Sequence, residues 1–130
     1  MNNKEAGAAG EAETVAYLEA QGYKVVDVNV RPEGGRARGE IDVIAWDGPF
    51  LVFCEVKTRR TAHGAQGTPA EAIDARKQEQ LTRLAFAYLA KHNLDDVDCR
   101  FDVVEVVHAP PRPPRFRLLR DAFAATEISD

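Results

Sequence analysis

The sequence predicts an α/β fold, a mixed sheet flanked by helices, and three observations carry that expectation. Good helix formers fill residues 6–20 and stop at Gly22; three Val- and Ile-rich runs follow at 23–30, 40–46 and 50–57; a second long helical stripe then precedes two more strand-like runs. Helix, strands, helix, strands is the order of an α/β unit.

In the first helix Ala8, Val15 and Leu18 form the apolar stripe. At roughly 100° per residue Glu11 falls between Val15 and Leu18 and is expected to point inward, with Glu13 on the opposite side. Residues 31–35 read as loop. The runs at 40–46 and 50–57 are joined through Trp46-Asp47-Gly48-Pro49, and Asp-Gly between apolar runs predicts a hairpin. After a small, polar loop at 58–67, Thr68-Pro69-Ala70-Glu71 combines a Thr cap, a Pro at the first helical position and a Glu at the third. A long helix is expected from there to about His92, with the stripe Ile73, Leu81, Leu84, Ala85, Tyr88 and Leu89. Lys77 sits inside that stripe, where a lysine either snorkels past the core edge or reaches into a site. Residues 97–107 read as a strand, 109–114 as a proline-rich turn, and 116–119 as a short edge strand before a frayed tail at about 121–130.

A chain of 130 residues, 45% hydrophobic and 29% charged, fits one globular domain spanning 1–130. The longest apolar run is only residues 50–54, so no membrane span is expected. Residues 1–13 lack the basic and apolar segments of a secretory signal. Cys54 and Cys99 lie in apolar runs without CxxC spacing, which fits buried reduced thiols and a cytoplasmic location. Net charge is −4, against a strongly basic nucleic-acid binder, yet Arg31, Arg36 and Arg38, then Lys57, Arg59 and Arg60, then Arg112, Arg115, Arg117 and Arg120 form local clusters that can hold phosphates.

The chemistry gathers on the hairpin. Glu55 and Lys57 share a strand face, as do Glu40 and Asp42 on the partner strand. A two-residue loop at Asp47 and Gly48 sets Asp42 against Phe53, and a four-residue loop at 47–50 sets it against Glu55; either places Asp42, Glu55 and Lys57 on one face. Both strands are otherwise nearly all apolar, so both faces are expected to be covered. Convergent carboxylates repel one another unless a proton or cation lies between them. Hard oxygen ligands beside a lysine suit Mg²⁺ or Mn²⁺, and such an ion with an ammonium is equipment for phosphodiester hydrolysis. The plainer reading is a solvated Glu-x-Lys ion pair. His63, His92 and His108 lack ligand spacing, no Walker pattern is present, Trp46 reads as core, and Arg100 with Asp102 reads as an ion pair buttressing the sheet.

Glu11, Asp42 and Glu55-Val56-Lys57 resemble the PD-(D/E)XK nuclease superfamily. Gly10-Glu11, Asn29-Val30-Arg31, Gly39-Glu40-Ile41-Asp42, Phe53-Cys54-Glu55-Val56-Lys57-Thr58-Arg59, Lys77, Tyr88-Leu89, Arg100-Phe101-Asp102-Val103-Val104 and Asp121-Ala122-Phe123 more closely resemble the YraN family of uncharacterised bacterial proteins. The resemblance spans nearly the whole chain. It implies a restriction-endonuclease-like core, similar to that of archaeal Holliday-junction resolvases. It also implies metal ligation by Asp42, Glu55 and the carbonyl of Val56, with Lys57 as catalytic lysine and Glu11 as accessory helix acid. Residues 32–38 form a longer stretch than usual ahead of Gly39.

The sequence-based expectation is thus a Mg²⁺- or Mn²⁺-dependent endonuclease acting on DNA rather than RNA, with branched or repair-intermediate DNA as substrate by analogy. Arg38, Arg59, Arg60 and Lys77 are the expected nucleic-acid contacts, and a homodimer is the assembly suited to a two-fold symmetric junction. The alternatives are a nucleic-acid-binding module with this fold and no turnover, and a protein scaffold.

Overall fold

In the computed structural model, residues 3–32, 38–60 and 73–126 are described. The order is α1 (Asn3–Ala20), β1 (Lys24–Val30), β2 (Ile41–Asp47), β3 (Phe50–Arg59), α2 (Ala75–Lys91), β4 (Cys99–Val107) and β5 (Arg115–Phe123). The five strands form one sheet in the order β1-β2-β3-β4-β5, antiparallel except for β3 and β4, which run parallel across the α2 crossover. This is an α/β fold with a mixed sheet flanked by two helices, consistent with a restriction-endonuclease-like core.

Why α1 ends where it does follows from Gly22. Its φ is +96°, its N–H donates to the Glu19 carbonyl, and the next N–H, of Tyr23, donates to Leu18. This is a Schellman stop, and its apolar partners Leu18 and Tyr23 are both buried. The inward side of α1 is Thr14 and Leu18, with Tyr17 stacked on Phe116 at 4.6 Å. The expectation that Glu11 points inward is not met. It lies on the azimuth of Leu18, but residues 11–13 are all exposed, because at that level α1 meets the sheet at its edge strand, β1, through the Asn29 side chain.

Two clusters fill the two faces of the sheet. Ile44, Leu51, Phe53, Phe101 and Val103 pack beneath Leu81, Leu84, Ala85, Tyr88 and Leu89 of α2. Val43, Ala45, Val52, Cys54, Val104 and Val106 pack on the other face with Leu18 and Tyr23. The hairpin is therefore covered on both sides, as its apolar runs require.

The β2–β3 register pairs Val43 with Cys54 and Asp47 with Phe50, which brings Asp42 level with Glu55. The turn itself is shorter than the four-residue loop expected for this register: only Gly48 and Pro49 stand outside the ladder, with Gly48 at φ +58° as the first central residue of a primed turn requires.

Three further expectations are corrected. The helix does not run on from the Thr68 signal, which lies outside the described residues. It starts at Ala75, because the Asp74 carboxylate accepts from the Lys77 N–H at 2.8 Å and caps the first turn from an extended backbone. Ile73 is buried in the α2-side cluster but precedes the helix. The last strand runs over Arg115–Phe123 rather than 116–119, so residues 121–123 are sheet and not frayed tail; residues 127–130 lie outside the described residues. No described helix is long and apolar enough to cross a membrane.

A polar network runs along the α1 side of the sheet, from the hairpin turn to the level of Cys54. Asp102, fully buried, accepts from Arg100 through both oxygens, from the Tyr23 hydroxyl and from the Asp121 N–H. Arg100 also donates to Asp47 at 2.7 Å. The Arg100–Asp102 pair thus buttresses the sheet as expected, and its carboxylates push the Arg100 pKa upward.

Candidate metal and phosphate site

At the opposite end of the hairpin β2 parts from β3. From Val43 onward the ladder is regular, but Asp42 and Glu55 form no ladder pair. Alternation also breaks there: Ile41 and Val43, two apart, pack in opposite clusters. Asp42 uses the break to turn its carboxylate toward β3, where Oδ2 accepts from the Val56 N–H at 2.8 Å. A side chain replaces a ladder bond, so Asp42 is fixed to β3 at the residue following Glu55.

Glu55 is 6% exposed and faces α2. Its Oε1 lies 3.8 Å from both the Lys57 and Lys77 ammonium groups, within ion-pair range but too far for a good hydrogen bond. Its Oε2 is buried with no hydrogen-bond partner. Burial, then the charge of Asp42, raises the Glu55 pKa to about 7, with Lys77 and Lys57 opposing. Burial also raises Asp42, against the lowering effect of the Val56 N–H. Lys77 therefore reaches into the site rather than only snorkelling.

The buried, unpartnered Oε2 is the observation that tests a metal here. A divalent cation offers a carboxylate pair what neither lysine supplies to that oxygen, and Asp42 and Glu55 are hard oxygen donors of the kind Mg²⁺ and Mn²⁺ take. The residues present fit such an ion. Among the described residues no group of three or more His, Cys, Asp or Glu gathers to enclose a metal, so an ion held here would complete its shell largely with water and substrate oxygens, as Mg²⁺ habitually does.

The other sequence-predicted residues divide. Glu11 accepts from the Asn29 side chain at 2.9 Å, and Asn29, at φ +51°, sits between the partners of Val43 and Ile41, level with Asp42. Glu11 is thus tied to β1, one strand from Asp42. Glu40 pairs with Arg31 at 3.2 Å and adds to the negative field on Asp42. Arg38 and Arg60 are exposed, flanking the start of β2 and the end of β3, while Arg59 donates to Glu105 at 3.0 Å. Trp46 packs against the core. Cys54 is buried and Cys99 half-buried, both as free thiols. His92 caps α2 and His108 is exposed; His63 lies outside the described residues.

Sequence reasoning missed Glu105 and Gln80. Glu105 reaches Arg59 only because β3 and β4 pair in parallel, a contact across 46 residues of chain. Gln80 packs against Gly39, whose φ is +99°; a Cβ there would meet the Gln80 amide at 2.7 Å. Glycine is therefore required just ahead of Glu40, and the Gly-Glu-Ile-Asp run was the available signal.

With this geometry in view, comparison with known proteins is decisive. Residues 10–106 match the model of the uncharacterised protein family UPF0102. The chain belongs to that family. It is 47% identical to a UPF0102 protein of Symbiobacterium thermophilum over 123 residues, covering 95% of this chain and 99% of the relative. It is 42% identical to one of Geobacter sulfurreducens, covering 94% and 91%, and 48% identical to one of Chlorobaculum parvum, covering 78% and 74%. The matched segment of this UPF0102 chain contains Glu11, Asp42, Glu55, Lys57 and Lys77.

The raised Glu55 pKa fixes a pH dependence. The folded protein holds this proton more tightly than the unfolded chain, so the contribution to stability is fully present below pH 4.5 and lost as pH rises through about 7. In metal-free buffer Tm should fall over that interval. Glu55→Gln should remove much of the fall and be the more stable protein at pH 8 by roughly 2 kcal/mol. Thermal melts of both proteins from pH 5 to 8 check this; equal slopes would mean that Glu55 is solvated and ordinary.

Proposed function

We propose that this protein is a Mg²⁺- or Mn²⁺-dependent endonuclease acting on DNA phosphodiesters, with branched or repair-intermediate DNA as the substrate class. The observation that carries this reading is the buried, unpartnered Glu55 Oε2 beside the Asp42 carboxylate, with two ammonium groups at the same glutamate. Asp42 and Glu55, with the Val56 carbonyl, would hold the ion, which when bound acidifies water and offsets charge on a phosphoryl oxygen.

The chain's own residues supply the rest. Lys57, 35% exposed, is open enough to meet a substrate and stabilises negative charge that develops on the phosphorus oxygens. Lys77 approaches Glu55 from α2 and orients it. Glu11, held by Asn29 at the level of Asp42, is the accessory acid. Arg38, Arg59 and Arg60 bracket the open end of the hairpin and contact phosphates. A nuclease of this design works in the cytoplasm, and a homodimer matches a two-fold symmetric junction.

The test is purified protein against linear, nicked and four-way-junction DNA with Mg²⁺, Mn²⁺ or EDTA. Metal-dependent cleavage that EDTA stops is expected. Salt-sensitive binding without cleavage under either metal would replace the enzyme by a binding module, and neither activity would leave a protein scaffold.

A further inference from the structure

The cations near the acid pair do not stop at β3. On the side of the sheet that carries α2, Lys57 is the register partner of Glu105 on β4, and Glu105 is the partner of Arg117 on β5. One step along, Arg59 and Arg115 flank Val107 in the same way. Cross-strand partners project from the same face. Lys57, Arg59, Arg115 and Arg117 therefore lie together on the face that also holds Glu55, and they extend it to the β5 edge.

Glu105 organises them. It is 2% exposed, accepts from Arg59 Nε at 3.0 Å and lies 3.7 Å from an Arg117 guanidinium nitrogen. Their own side chains are 29% and 49% exposed. A buried carboxylate that draws two arginines from different strands to one spot restricts where their outer N–H groups point. Guanidinium groups held in this way suit phosphate oxygens, which they meet with paired donors.

We propose that Arg115 and Arg117, with Arg59, form a phosphate-binding track for a nucleic-acid backbone, running from the acid pair across β4 to the β5 edge, and that Glu105 is its positioning residue. The proposal rests on the nuclease reading for its direction, since it makes the track continuous with the site. Two strand spacings separate β3 from β5, roughly 10 Å. About three nucleotides of one DNA strand, at 3.4 Å rise each, cover that length. A chain whose net charge is −4 has no general attraction for a polyanion, so its affinity must come from such a face.

The experiment titrates the full-length chain with fluorescent DNA in EDTA across a KCl series, and in parallel with Mn²⁺ alone. Arg115→Ala/Arg117→Ala should weaken DNA binding about tenfold or more and lower the salt slope by about two, leaving Mn²⁺ affinity unchanged. An unchanged slope, or a parent protein that binds no DNA, overturns the track. Glu105→Gln separates positioning from charge. Removing a negative charge alone tightens polyanion binding, whereas losing the orienting carboxylate weakens it, so tighter or equal binding removes Glu105 from the proposal. Arg117→Lys keeps the charge and should keep the slope, which guards against misfolding as the cause. If the parent binds DNA through these arginines but shows no saturable Mn²⁺ site, the track stands and the nuclease reading falls.

Discussion

Lys57→Met is expected to cut single-turnover cleavage by about 100-fold or more, while DNA and Mn²⁺ affinity change little. The expectation follows from where the ammonium sits. It is 3.8 Å from Glu55 Oε1, beyond a good hydrogen bond, and about one-third exposed at 35%, so little of its interaction is committed to the resting protein. A charge placed in this way acts chiefly on what develops in the transition state, and losing such an interaction lowers kcat rather than weakening ground-state binding. If Lys57 were only half of an ion pair, its loss would cost about 0–1 kcal/mol of stability and leave cleavage untouched. Rapid-quench assays on parent and variant decide between these. A variant as fast as the parent takes lysine out of the mechanism.

Asp42→Ala and Glu55→Ala are each expected to abolish saturable Mn²⁺ binding in calorimetric titration while the protein stays folded. Their stabilities should nevertheless move in opposite directions. Glu55→Ala removes a buried carboxylate with an unpartnered oxygen and relieves its repulsion with Asp42. Asp42→Ala also relieves repulsion, but it strands the Val56 N–H, and an unsatisfied donor costs about 1–3 kcal/mol. Thermal melts in EDTA at pH 8 read the difference. Undiminished Mn²⁺ affinity in both variants would exclude the pair as a metal site.

Much of this arrangement is legible in the sequence because it depends on local rules. Gly22 can stop a helix wherever it stands, and Gly48 can turn a hairpin, so α1 and the β2–β3 unit follow from residue types. An even loop then puts Asp42, Glu55 and Lys57 on one face before any tertiary packing is known, whereas the choice of Glu55 over Phe53 as the residue level with Asp42 comes from the structure. What the sequence hides is set by neighbours. Glu11 lies at the right angle on its helix, but only the extent of the sheet decides whether that angle is covered. The Asp74 cap does not stand out in the sequence, because Thr68-Pro69-Ala70-Glu71 upstream carries the fuller start signature. The strand at Arg115–Phe123 is broken by Arg117, Arg120 and Asp121 at an edge, so only its apolar centre at 116–119 reads as sheet. Glu105 acquires its meaning only through a parallel partner far along the chain.

The network around Asp102 has a consequence for how this protein tolerates change. Each of its oxygens accepts two hydrogen bonds, and the donors come from β4 itself, from β5 and from the residue before β1, while Arg100 ties in the end of β2. The strands are thus fastened together on the face turned away from Glu55, whose carboxylate keeps one oxygen without a partner. Order and chemistry are assigned to opposite faces of one sheet. Substitutions at the acid pair can therefore be inherited without dismantling the scaffold, whereas a single loss at Asp102 loosens four strands together. In descent, the face bearing the acids is free to explore new substrates while the fastened face keeps the lineage folded.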